Sequence, residues 1–190
     1  MALLRAIVVF PTLLLFNVSS AADIPCGTAV FGKGAHNGKN RMVGANVATP
    51  HAYPWHVFIQ TPKGTFSGSA VRFSSGNVID AVLTSAQVVT VNDKLISPTN
   101  VTVYLGLHDR AKKAKARAKV HSIKRFSLSD SPRVQMTASD AAVLYLKLPV
   151  PLSEYIRPIC LPDEEQIEPN DSCVITGLNH ISSKPMRLII

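Results

Sequence analysis

Three cysteines, Cys26, Cys160 and Cys173, carry the most reactive side chains of this 190-residue sequence. In an oxidising compartment cysteines pair as disulfides, and an odd number leaves one thiol that is free or bonded to another chain. Their wide spacing and the lack of a nearby histidine pair argue against a zinc site. The sequence therefore predicts disulfide chemistry, with no metal and no cofactor.

Basic side chains form a second group with recognisable spacing. Lys113, Lys115, Arg117 and Lys119 occupy every second position, so in a strand they would share one face. The favoured interpretation is a solvated strand edge, which lysines protect against aggregation. The alternative is a binding site for a polyanion. No carboxylate lies between Lys112 and Lys124, which argues against calcium there.

The amino-terminal residues are typical of a secretory signal peptide. Arg5 precedes an apolar run over residues 6–16, and small residues follow up to position 22. The run is shorter than the roughly 20 residues that a membrane span needs. We therefore expect residues 1–22 to be removed from a secreted, extracellular protein without a membrane span. Asn100 and Asn170 each begin a glycosylation sequon that such a route would expose to modification.

The formal net charge of +8 favours acidic partners. For an exported protein, sulfated glycans and anionic cell surfaces are the expected ones. Aromatic residues make up only 6% of the chain and are not interleaved with the cations, so nucleic-acid binding is not expected.

Many short strands must position these groups. Alternating or continuous apolar runs occur near residues 55–59, 78–83, 101–105 and 141–146, and turn residues separate them. Such a pattern predicts an all-β barrel or sandwich.

Six segments in order resemble the chymotrypsin/trypsin-like serine peptidases. They are residues 41–45 (RMVGA), 53–57 (YPWHV), 83–88 (LTSAQV), 140–144 (DAAVL), 155–162 (YIRPICLP) and 173–177 (CVITG). The family counterparts of the first four read RIVGG, PWQV, LTAAHC and DIALL. The resemblance implies a trypsin-like Greek-key β-barrel over residues 42–166, with the opening strands of a second barrel at 167–190. Residues 23–41 would then be a leader like an activation peptide.

Catalysis in that family requires a serine nucleophile, a histidine base and an aspartate that orients the histidine. Gln87 occupies the position of the base, and a carboxamide has no basic nitrogen at neutral pH. The family's GDSGGP nucleophile loop lies in the second barrel, and no such segment is found before Ile190. Only Asp140 matches a triad residue. We expect Asp140 at the inner edge of the barrel, with the Gln87 amide donating to it over 2.7–3.2 Å.

No histidine is expected to replace the missing base. We expect all six to be solvated or hydrogen-bonded, in leader, loop or strand-surface positions, and they are His36, His51, His56, His108, His121 and His180.

The resemblance also assigns the cysteines and the junction before the barrel. It implies a Cys26–Cys160 disulfide that ties the leader to the barrel, with Cys173 unpaired. Val88 and Phe66 replace a second cysteine pair of the family, and both replacements are apolar. Arg41–Met42 corresponds to the activation cleavage.

The sequence thus predicts a catalytically inactive peptidase homologue that acts by binding. Its expected partners are an active protease, a protease substrate or an anionic glycan. The alternatives are a shortened form of an active serine endopeptidase and a truncated product with no function.

Overall fold

The computed structural model describes residues 23–32, 35–36, 47–126, 140–162, 174–178 and 188–189. The predicted signal peptide, the Arg41–Met42 junction, Cys173 and Asn170 lie outside these ranges. Within them the regular structure consists of twelve β-strands and two short 3-10 helices, without an α-helix. No helix among the described residues is long and apolar enough to cross a membrane.

Six of the strands close into an antiparallel barrel in the order β10-β5-β4-β3-β8-β9. Their bounds are β3 His56–Thr61, β4 Gly64–Val71, β5 Val78–Thr84, β8 Thr102–Leu105, β9 Ala116–Phe126 and β10 Ala141–Pro151. Strands β3, β4 and β5 form a meander, and β8 returns to pair with β3. This order is the Greek key, so the predicted all-β Greek-key barrel is confirmed.

Alternation along the strands places the core inside the barrel. Val57 and Ile59 of β3 are fully buried there, as are Val103 and Leu105 of β8. Val88 is also buried in this core, and Phe66 packs against it. These two apolar residues, which the resemblance matches to a cysteine pair of the family, therefore take part in the packing of the core.

The remaining strands are short. Strands β1 (Ala35–His36) and β2 (Val47–Ala48) form one small sheet with β11 (Gly177–Leu178) and β12 (Leu188–Ile189), in the order β1-β2-β12-β11. Thus the described residues from the predicted opening of a second barrel pair with β2, which lies within the predicted range 42–166 but outside the closed barrel. Strands β6 (Thr90–Val91) and β7 (Lys94–Leu95) form a separate hairpin. The 3-10 helices span Ala86–Val89 and Pro98–Asn100.

Candidate functional site

A tight turn at the end of β5 positions Gln87. Ser85 caps the 3-10 helix Ala86–Val89, and its hydroxyl oxygen accepts a hydrogen bond from the Gln87 N–H over 3.3 Å. Ala86, Val88 and Val89 are buried, whereas Gln87 is exposed. The apolar residues of the turn anchor it on the core and leave the Gln87 side chain at the surface.

Asp140, directly before β10, is bonded to this turn from both its backbone and its carboxylate. The Ala86 N–H donates to the Asp140 carbonyl oxygen over 3.1 Å. The Gln87 N–H donates to Asp140 Oδ1 over 2.8 Å, and Gln87 Nε2 donates to Oδ2 over 3.0 Å. The Ser85 hydroxyl also donates to Oδ2. The predicted contact between Gln87 and Asp140 is therefore present.

The Asp140 carboxylate is exposed, which corrects the expectation that it lies at the inner edge of the barrel. Its hydrogen bonds rather than its burial set its charge state. The Ser85 hydroxyl, with the backbone and side-chain amides of Gln87, lowers the pKa of Asp140, because all of these donors favour the ionised form. Asp140 is therefore an anion at neutral pH.

A lysine from the β3–β4 turn binds the other end of the same 3-10 helix. Lys63 Nζ donates to the Gln87 carbonyl oxygen over 2.6 Å and to the Thr90 carbonyl oxygen over 3.1 Å. A cation is favourable at the carbonyl end of a helical turn. The Gln87 backbone is thus held from both sides, by Asp140 at its N–H and by Lys63 at its carbonyl.

The hydrogen bonds of this site fix the orientation of the Gln87 side chain. Neither Gln87 nor Asp140 is a base of ordinary strength. The Gln87 amide nitrogen donates to Asp140, and its carbonyl oxygen can accept a hydrogen bond but is not basic enough to take up a proton at neutral pH. Ser85 donates its proton to a carboxylate whose pKa is lowered, so Asp140 is a poor acceptor for a full proton transfer.

The barrel agrees with a comparison against protein-family models. Residues 42–187 match the Trypsin family. The chain belongs to this family, whose class of activity is serine endopeptidase.

The predicted disulfide is present between Cys26 and Cys160, whose Cα atoms are 5.0 Å apart. It joins the leader to the segment after β10. Gly27 has a positive φ of 65°, and a Cβ there would lie 3.1 Å from the Cys160 sulfur. Its N–H donates to the Pro158 carbonyl oxygen over 2.9 Å. Glycine therefore suits both the backbone and the close approach of the disulfide.

The alternating cations do not form one continuous stripe. Strand β9 begins at Ala116, so only Arg117 and Lys119 follow its exposed face, on either side of buried Ala118. Lys115 instead lies over the Tyr155 ring, 4.0 Å from its centroid. Strand β9 also joins β8 to β10 within the closed barrel, so the interpretation as the edge of an open sheet is wrong.

Lys113, the first of these cations, lines a cavity with Arg117 on the outer wall of the barrel. Lys119 donates to the Thr102 hydroxyl over 2.9 Å. Asn100, the sequon residue within the described part of the chain, is exposed. It remains a predicted glycosylation site.

His56 is buried, which corrects its assignment to a strand surface. Only 3% of this residue is exposed. Its Nδ1 atom lies 3.0 Å from the Thr176 hydroxyl oxygen, and its ring meets Phe58 edge-on. Alternation along β3 predicts a surface position, but Thr176, 120 positions later in the sequence, contacts the ring on this face.

Proposed function

We propose that this trypsin-family protein does not hydrolyse peptide bonds. The observation that carries the proposal is the hydrogen bond from the Gln87 side chain to Asp140, since the sequence resemblance aligns Gln87 with the family's histidine base. A neutral carboxamide supplies the hydrogen-bond donor that faces the aspartate, but it cannot accept a proton from a serine. The argument holds for this chain and for any longer chain that contains it.

We also propose that the protein is exported and acts by binding. The apolar run over residues 6–16 and the Cys26–Cys160 disulfide support export, because such bonds persist in oxidising compartments. Proposed partners are an active protease, a protease substrate or an anionic glycan, the last supported by the net charge of +8.

A shortened form of an active endopeptidase is the competing function, and family membership favours it. An assay of substrate turnover distinguishes the inactive homologue from the active endopeptidase. The substrates are peptide amides and esters with basic, aromatic or aliphatic residues before the scissile bond. We expect rates at least about 10⁴-fold below those of trypsin, the typical scale of losing one triad residue. The Gln87→Ala variant is the control, since both proteins should then give the same background rate. Saturable turnover by the wild-type protein that Gln87→Ala removes would contradict the proposal.

A further inference from the structure

A cavity opens on the outer wall of the barrel, away from the Gln87–Asp140 contact. Its volume is about 370 Å³. Strands β3, β4, β8 and β9 and the loop before β9 line it, and the lining residues include Phe58, Tyr104, Leu107, Lys112, Lys113 and Arg117. A cavity of about 150 Å³ holds a benzene molecule, so this one has room for an aromatic ring with a substituent.

The strand register explains the apolar floor. Phe58 of β3 pairs with Tyr104 of β8, and Tyr104 pairs with Arg117 of β9. Val57 and Ile59 point into the core, so alternation directs Phe58 to the opposite face of the sheet. Phe58, Tyr104 and Arg117 therefore form one cross-strand row on the outer wall. The Arg117 guanidinium carbon is 5.8 Å from the centroid of the Tyr104 ring, which places a cation beside an aromatic face.

The rim of the cavity is cationic. Lys112, Lys113 and Arg117 line it and are exposed, and no carboxylate is among the described residues that line it. Asp109 is the only acidic residue of the loop before β9. It is 7% exposed, and its Oδ1 accepts the Ala111 N–H over 2.9 Å. Its carboxylate thus helps to form the loop, while Lys112, Lys113 and Arg117 are exposed.

We propose that this cavity binds small aromatic anions, such as an aryl sulfate or an aryl carboxylate. The ring would pack on Leu107 and Tyr104, above Phe58, which is itself only 1% exposed, and the anionic group would meet Lys112, Lys113 and Arg117. A hydrated inorganic anion would contact the cations but not the apolar floor. A neutral aromatic ring would contact the floor but form no ion pair with the cations. The proposal goes beyond the loss of catalysis and does not depend on it.

The test is a titration of the full chain, followed by NMR, with three probes. Phenyl sulfate carries both features, inorganic sulfate carries the charge alone, and benzyl alcohol carries the ring alone. We expect phenyl sulfate to bind at least about tenfold more tightly than either fragment, because two favourable terms combine in one ligand. Its largest shifts should fall on the Tyr104 ring and on the amides of Ala114 and Arg117.

A matched pair of variants separates the cavity from general positive charge. K112Q/K113Q removes two charges from the rim, and K115Q/K119Q removes two charges from the same region outside the cavity. We expect the first variant to weaken phenyl sulfate about tenfold and the second to change its affinity less than twofold, with thermal unfolding confirming that both are folded. Equal affinities for phenyl sulfate and inorganic sulfate would overturn the proposal. Equal losses in the two variants would overturn it as well, since they would point to diffuse electrostatic attraction.

Discussion

At the scale of single residues, Gln87 holds the Asp140 carboxylate through two hydrogen bonds. The side-chain amide donates to Asp140 over 3.0 Å, and the backbone N–H donates to the other carboxylate oxygen over 2.8 Å. Both oxygens of the Asp140 carboxylate therefore accept hydrogen bonds from the turn that carries Gln87. The residues of this contact could be predicted from the sequence, because they lie within matched family motifs.

His56 is the residue at which sequence-based prediction fails. A polar residue between Val57 and Trp55 indicates the outer face of a strand, and His56 does lie on that face. Local sequence does not reveal that Thr176 covers it, since 120 residues separate the two. The Nε2 atom is buried without a hydrogen-bond partner among the described residues. Burial lowers the pKa of His56 to about 4 from its ordinary value of 6.5.

This environment predicts a pH-dependent stability. The folded protein keeps His56 neutral down to about pH 4, while the unfolded chain protonates it near pH 6.5. Between these values the unfolded state binds more protons, so the free energy of unfolding falls as the pH is lowered through this window. The full effect is about 3 kcal/mol, measurable by urea unfolding at pH 7.0, 5.5 and 4.0.

The H56Q variant is the control for the other titrating groups. Its unfolding free energy should fall less than that of the wild type between pH 7.0 and 4.0, because glutamine does not titrate. Parallel pH dependences in the two proteins would show that His56 is solvated in solution.

At the scale of elements, the close spacing of β3, β4 and β5 makes Gly68 necessary. Gly68 of β4 pairs with Val57 of β3. A Cβ at this position would lie 2.8 Å from Ile59 Cδ1, 2.9 Å from the Leu83 carbonyl oxygen and 3.0 Å from Val82 Cγ1. The carbonyl belongs to the neighbouring strand, so it cannot move aside without disturbing the sheet.

G68A should therefore destabilise the barrel by about 1–3 kcal/mol, the usual range for overpacking a core. Thermal or urea unfolding measures the loss. G32A is the matched control, because a Cβ at Gly32 meets nothing within 4 Å. If G68A and G32A both keep the wild-type free energy of unfolding, strands β3, β4 and β5 are spaced more widely than these distances indicate.

The strands themselves were more predictable than their pairing. Alternating apolar residues identify the runs that become β3 and β8, a continuous apolar run identifies β10, and the family motifs give the order around the barrel. The start of β9 at Ala116 was not predictable, because the alternation of cations continues through Lys113 and Lys115 without a break.

The cavity on the outer wall depends on the start of β9, since the residues before Ala116 form the loop that lines the cavity. It also depends on the cross-strand register of Phe58, Tyr104 and Arg117, which no single segment encodes.

At the scale of the whole molecule, the leader is fastened to the barrel at several points. Besides the disulfide, Arg72 Nη1 lies 2.7 Å from Asp23 Oδ1, and Arg157 Nη1 donates to Thr28 Oγ1 over 2.9 Å. The disulfide closes a loop of 134 residues, so it strongly restricts the unfolded chain.

The double variant C26S/C160S should lose about 2–5 kcal/mol of unfolding free energy. Limited trypsin digestion gives a second readout, because we expect cleavage after Arg41. The wild-type leader should stay attached on a non-reducing gel and leave on reduction, and the variant's leader should leave in both lanes. Release of the wild-type leader without reductant would contradict the Cys26–Cys160 bond.

The central claim, that the family's catalytic machinery is not operative here, is tested most directly by a fluorophosphonate probe. Such a probe forms a covalent adduct only with a serine that a neighbouring base activates. The protein isolated at its natural length would be treated beside trypsin, and adducts would be mapped by mass spectrometry. We expect trypsin to be labelled and this protein to carry no serine adduct, because Gln87 cannot remove the proton. A stoichiometric adduct on one serine would contradict the claim and would show that another group acts as the base.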